Sequence, residues 1–231
     1  KKLASLSGEE LLAFIVALAK GAVESVTEAE VRRVAAQVYD SYLPAWVRLL
    51  LPMPEIHGVL VISRDTKALA LVRELGAQTV QESGNPELNT ALYRATSALP
   101  VWGAEAALVV PADLPLLQAE DISAIVTLGR FPRTVVLAPD RREEGTNLLF
   151  VRPPGLIPYA FGGPSFDEHQ RLAREANATL HIYRSERSGL DLDLPDDLFT
   201  YYQLAALWSE PVVPHNRPEQ ALIDPRSPSE R

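Results

Sequence analysis

Between Gly58 and Ala138 the chain switches repeatedly between short apolar runs of strand length and stretches of helical period. A strand, a helix and a second strand in succession join most simply by a crossover that leaves the two strands parallel. The pattern predicts strands at Gly58–Ser63, Thr79–Gln81, Ala106–Ala112 and Thr134–Ala138. Helices are predicted at Thr66–Leu75, stopped by Gly76, and at Leu88–Ala98 and Ala119–Leu128. Further on, strands are expected at Asn147–Arg152 and Leu180–Arg184, and helices at Phe166–Asn177 and from Pro195 to about Trp208. Such alternation defines an α/β fold with a doubly wound sheet.

Two capping boxes precede this core, Ser7-Gly8-Glu9-Glu10 and Thr27-Glu28-Ala29-Glu30. Behind the second, Val31, Val34, Val38 and Tyr42 recur at helical spacing, with Trp46 beyond them. Residues 22–55 therefore form an extra helical region, read as additional core; an oligomer face or a cover over the site are the other readings. Residues 1–210 are taken as a single domain and 211–231 as a proline-rich, extended tail that could drape over a partner subunit. With the extra helical region, that tail leaves room for a homodimer.

Composition narrows the chemistry. The 231-residue chain has no cysteine, which removes disulfides, thiolate zinc sites and cysteine nucleophiles. Its net charge of −8 disfavours nucleic acid, whose phosphates need clustered Lys and Arg. No apolar run is long enough to span a membrane, and the first residues lack a signal-peptide core, so a cytoplasmic protein is expected. His57, His169, His181 and His215 have no metal-ligand spacing and read as ordinary surface or loop residues.

Two acidic segments stand out. In Val109-Val110-Pro111-Ala112-Asp113-Leu114-Pro115, an apolar run ends in a lone Asp113, at the strand end where open α/β sheets bind ligands. In Asp191-Leu192-Asp193-Leu194-Pro195, the two carboxylates share one side if the segment is extended. Carboxylates that converge repel one another unless a hard cation joins them, so Asp113, Asp191 and Asp193 are candidate metal ligands. The plainer reading has Asp113 starting a turn and Asp196 capping a helix.

Three loops complete the inventory. Asp140 to Asn147 carries Arg141, Arg142, Gly145, Thr146 and Asn147; it suits a phosphate-bearing ligand or a charged hairpin equally well. There Gly145 would permit an unusual backbone angle. Phe161-Gly162-Gly163-Pro164-Ser165-Phe166 puts two glycines before a helix start, whose free N–H groups favour an anion. Ser165 also reads as an N-cap, forming a capping box with Glu168. Asn89 opens a helix and could meet a purine edge or ribose, or serve only the helix terminus. No phosphate-binding P-loop, dinucleotide fingerprint or nucleophile–base motif is present. Metal, anion loops and a sheet suit phosphorus-group transfer, in which positioning and charge neutralisation dominate.

The order VVPADLPLL, APDR…GTN, FGGPSFDEH and GLDLDLPDDL resembles the 2-phospho-L-lactate guanylyltransferases of deazaflavin coenzyme (F-420) biosynthesis, some of whose relatives use phosphoenolpyruvate. The resemblance runs from about Val59 to Leu198. It implies a glycosyltransferase-A-like nucleotidyltransferase with a Rossmann-like mixed, mostly parallel sheet and flanking helices. It also implies a metal site at Asp113, Asp191 and Asp193, with two magnesium ions and Asp113 catalytic. Thr146, Gly162 and Ser165 would bind the phospho-acid, and Asn89 would lie near GTP. The implied products are a guanylylated acid and pyrophosphate. The family opens with a strand and a Lys/Arg-rich loop ending in a pattern like AKSRL, which holds the triphosphate; Lys1-Lys2-Leu3 falls near the end of that loop. Two other readings stand beside this one. The first is nucleotidyl transfer to a molybdopterin or sugar phosphate; the second is a non-catalytic homologue that only binds a nucleotide or phospho-acid.

Overall fold

The computed structural model of the chain describes residues 43–82 and 88–192, together with 196, 197, 200, 201, 203 and 204. The two capping-box helices, residues 22–42 of the extra helical region, the Gly84–Pro86 loop, Asp193, the Pro195 helix start and the 211–231 tail lie outside the described residues.

Six strands are described: β1 (Leu60–Ser63), β2 (Gln78–Gln81), β3 (Ala107–Val109), β4 (Thr134–Pro139), β5 (Thr146–Arg152) and β6 (Thr179–Ile182). β1 and β2 pair in parallel, joined by the helix Thr66–Glu74. Asp65 starts that helix by accepting N–H bonds from Lys67 and Ala68, and Gly76 stops it at φ 100°. The other four strands lie in the order β3-β5-β4-β6. β4 and β6 are parallel, whereas β5 opposes both β3 and β4. The mixed α/β sheet with flanking helices is thus present.

The helices Leu88–Ala98 and Ala119–Leu128 fall where the periodicity predicts. β3 is shorter than predicted and ends at Val109. Pro111 follows two residues later and has no N–H for a ladder bond.

Strand alternation builds a core on each face of the sheet. Val136 and Ala138 of β4, with Leu148 and Phe150 of β5, pack on one face against Ile122, Ile125, Leu114, Leu117, Trp46 and Leu50. Val135, Leu137, Leu149 and Val151 face the other way, against Ile157, Phe166 and Ala173. Trp46 is core, as expected, on a helical stretch at residues 43–50. At the end of the Ala119–Leu128 helix, a Cβ on Gly129 would come 2.1 Å from a ring carbon of Phe150.

Candidate functional site

The loop from Asp140 to Gly145 is folded around one carboxylate. Asp140 accepts N–H bonds from Arg142, Glu144 and Gly145, each at 3.0 Å. A Cβ at Gly145 would meet the Asp140 Oδ2 at 3.0 Å. Close approach, rather than an unusual backbone angle, therefore requires that glycine; the left-handed residue of the loop is Glu143, at φ 57°.

This loop delivers Thr146 and Asn147 to the start of β5, both buried. The Thr146 N–H donates to Ser165 Oγ at 2.9 Å, which joins two of the predicted acceptor residues directly. Ser165 is the first residue of the helix Ser165–Glu175, and Pro164 occupies the cap position with no side-chain cap bond. The predicted Ser165–Glu168 capping box is therefore not formed: the hydroxyl serves Thr146 instead.

His169 is a residue that sequence reasoning misplaced. It is fully buried rather than superficial. Its Nδ1 lies 2.9 Å from Thr146 Oγ1, and its Nε2 accepts the Ala160 N–H at 3.0 Å. Phe161 meets the ring edge-on, with centroids 4.9 Å apart. Burial pushes its pKa down to about 4, against the weaker upward pull of the Glu168 charge and the Ser165 backbone. The signal was available as spacing: His169 lies one helical turn beyond Ser165.

The glycine loop leads into this group. Gly162 and Gly163 have φ of 98° and 60°, and a Cβ on either would enter open space. Positive φ, not crowding, therefore selects glycine, and the room beside both stays clear for a ligand. Asn89 reaches the loop from the helix Leu88–Ala98. Its Nδ2 donates to Phe161 O at 2.9 Å and its Oδ1 accepts the Phe161 N–H at 2.7 Å. Asn89 thereby braces the loop that carries Gly162. The pairing uses one amide hydrogen and one lone pair, leaving the second of each for another partner.

On the acidic side, Asp113 is half-buried in the turn after β3, anchored by the buried Leu114 and Leu117. Asp191 is half-buried between the buried Leu190 and Leu192. The segment before Asp191 is stitched onto the Asp140–Asn147 loop. Arg141 N–H donates to Gly189 O at 3.0 Å, and Asn147 Nδ2 donates to Ser188 O at 3.0 Å. Arg142 donates to Asp197 at 2.9 Å. Burial opposes the Arg142 charge, but Asp197, Asp191 and Asp140 together raise its pKa. Asp191 and the Thr146 loop thus belong to one assembly. Among the described residues no three His, Cys, Asp or Glu side chains gather closely enough to hold a metal. Asp193, the third expected ligand, lies outside those residues.

A second buried group that sequence reasoning missed is Asp121. It accepts bonds from Gln118 N–H, Tyr183 Oη, Ser185 Oγ and both Nε and Nη2 of Arg187. Burial would raise its pKa; Arg187, Tyr183 and the Gln118 N–H overcome that and lower it. Asp121 resembled an ordinary acid in a helix first turn, so its sequence context gave no cue. It ties the helix that follows the Asp113 turn to the segment that precedes Asp191. A cavity of about 180 Å³ lined by Leu43, Pro44, Asp65, Lys67, Ala68 and Leu71 shares no residue with this arrangement.

A mixed sheet with flanking helices, whose strand-end loops carry the candidate residues, is a nucleotidyltransferase-like fold. Two solved structures share it. A 4-diphosphocytidyl-2C-methyl-D-erythritol synthase aligns with TM-score 0.53 at 12% identity, over 71% of this chain and 89% of that one. A CMP:2-keto-3-deoxy-manno-octonic acid synthetase complexed with CTP aligns with TM-score 0.50 at 12% identity, over 74% and 88%. The chain belongs to the family described as guanylyl transferase CofC like, which matches residues 52–202.

Among its relatives is a phosphoenolpyruvate guanylyltransferase of Thermobaculum terrenum, 35% identical over 66% of this chain and 64% of the relative. Another, from Rubrobacter xylanophilus, is 36% identical over 62% and 69%. A 2-phospho-L-lactate guanylyltransferase of Methanocaldococcus vulcanius is 34% identical over 60% and 61%. The chain therefore spans about two thirds of the length of the curated relatives it matches.

Proposed function

We propose that the protein transfers GMP from GTP to phosphoenolpyruvate or 2-phospho-L-lactate, releasing pyrophosphate, as a step of deazaflavin coenzyme biosynthesis. The observation that carries the reading is the direct bond between Thr146 and Ser165 beside the open glycine loop, in a chain of the CofC-like family. Thr146, Ser165 and the Gly162 main chain would hold the acid's negatively charged groups.

In the reaction, a phosphate oxygen of the acceptor bonds to the α-phosphorus of GTP. The bond from that phosphorus to the β-phosphate bridging oxygen breaks, and pyrophosphate leaves. A phosphomonoester has a second pKa of about 6, so the nucleophile is already largely dianionic near neutrality. No general base is needed. His169 agrees with this, since both its nitrogens are engaged and its pKa is lowered to about 4.

Asp113, Asp191 and Asp193 would hold magnesium, as two ions; hard carboxylate oxygens suit it, and of the described members Asp113 sits in the turn after β3 and Asp191 in the segment after the Ser188–Gly189 pair. When bound, magnesium neutralises charge on the phosphates as they exchange partners. The stitched 185–192 segment keeps Asp191 near the Thr146 loop, and Arg142 balances the local negative charge. Asn89 braces the glycine loop, and its remaining amide hydrogen would serve the nucleotide. The reading extends to a cytoplasmic location and to a homodimer, which a single-chain mass in sedimentation would remove.

The test supplies GTP, magnesium and each acid to the protein and follows pyrophosphate. Release with either acid is expected. Release only with a different phosphate acceptor, or ligand binding without release, would overturn the assignment.

A further inference from the structure

His169 occupies a position that the phosphoryl chemistry does not use, yet it touches both acceptor loops. Its Nε2 receives the Ala160 N–H at 3.0 Å. A backbone amide can only donate, so Nε2 carries no proton, and neither the imidazolium nor the Nε2-protonated tautomer can occupy this site. The single imidazole proton therefore resides on Nδ1. It lies toward Thr146 Oγ1, 2.9 Å away, and the Ser165 backbone, and a protonated Nδ1 has no lone pair to accept the Thr146 hydroxyl hydrogen. Thr146 Oγ1 is thereby fixed as an acceptor toward the ring, and its own hydrogen is released for a different partner. Ser165 is treated the same way: its oxygen accepts the Thr146 N–H at 2.9 Å, which leaves its hydroxyl hydrogen to donate.

From this chain of bonds we infer that His169 is a positioning residue that commits the Thr146 hydroxyl, alongside Ser165, to donating hydrogen bonds to the anionic group of the acceptor acid. The inference rests on the guanylyltransferase reading for the identity of that acid, but the tautomer stands on the geometry alone. It also explains why a histidine is buried here. An imidazole held neutral offers one acceptor and one donor on opposite sides, and so bridges the Ala160 end of the glycine loop to the start of β5. The Phe161 ring closes its edge, and Asn89 fixes Phe161 in turn. A merely structural histidine would stabilise both loops equally; this one biases the direction of a hydroxyl, which matters only to a ligand that accepts.

The experiment compares His169→Phe, which keeps a ring against Phe161, with His169→Asn, whose amide can stand in for Nδ1. In His169→Phe the KM for the acid should rise about 10- to 100-fold, the range for a hydrogen bond to a charged group, while the KM for GTP changes less than about twofold. His169→Asn should recover part of that loss. In a Thr146→Val background, His169→Phe should add little, because the hydroxyl it directs is gone. An unchanged acid KM in a folded His169→Phe, equal rises for acid and GTP, or additive effects in the double variant would each overturn the inference. Long-range proton–nitrogen NMR of the unaltered protein supplies an arm independent of turnover. A protonated Nδ1 and bare Nε2 are expected, and a protonated Nε2 would refute the assignment. If no pyrophosphate forms with either acid, the functional reading falls, and this arm still decides the tautomer.

Discussion

His169 and Asp121 are both buried and both ionisable, yet the structure drives them to opposite charge states. His169 faces an amide donor and a hydroxyl, and burial lowers its pKa, so it stays neutral. Asp121 is as deeply buried, but a guanidinium and three further donor groups meet it, so it stays charged. Burial alone does not fix protonation; the partners do. The contrast divides the candidate site into a Thr146–His169 side made of neutral hydrogen bonds and an acidic side held by ion pairing.

The largest expected effect tests the acidic side. Asp113→Asn should lower guanylyl transfer by orders of magnitude and leave the urea midpoint unchanged; near-normal turnover would remove Asp113 from the mechanism. Next comes Asp121→Ala, which removes the carboxylate shared by the Tyr183 hydroxyl and the Arg187 guanidinium. It should destabilise the fold by about 2–4 kcal/mol in urea titration, and a smaller loss than His169→Phe would invert the ranking of the two groups.

The pH dependence separates them further. His169 has a folded pKa of about 4 against 6.5 unfolded, so the unfolded chain binds more protons between those values. Its contribution to stability is complete above about pH 6.5 and falls by up to about 3 kcal/mol as pH drops toward 4. Asp121 has a lowered folded pKa, so its contribution is present above about pH 4 and is lost on further acidification. Stability measured from neutral to acid pH should thus fall in two stages. His169→Phe should erase the first and keep the second.

The smallest effect belongs to Asn89→Ala, which unpairs Phe161 at both main-chain atoms. It should cost about 1 kcal/mol and raise the acid KM a few-fold, since the loop is braced rather than built by it.

The sheet and most helices were legible because their period is carried by many residues. The runs at Thr134–Ala138 and Asn147–Arg152 are almost continuously apolar, and each face finds its own core. Thr146 and Ser165, the proposed acceptor-binding residues, could be named from their motifs. Their mutual bond could not, because it joins a loop and a helix start 19 positions apart. His169 and Asp121 were hidden for a common reason. Each resembles an ordinary polar residue of an amphipathic helix, and even the helical spacing of His169 from Ser165 gains meaning only through contacts with distant segments, Ala160 and Thr146 for His169, Tyr183 and Arg187 for Asp121. At Ser165 and Gly145 the expected local geometry is not the one found, since a cap motif and a glycine each admit more than one.

The seat of the Phe150 ring has a consequence for how this core can drift. Position 129 has given up its side chain entirely to an aromatic neighbour on the central antiparallel strand. The two positions share a single allotment of space, and neither can grow alone. A methyl group at 129 becomes admissible only in a chain whose residue 150 has shrunk, so substitution there should proceed in compensating pairs.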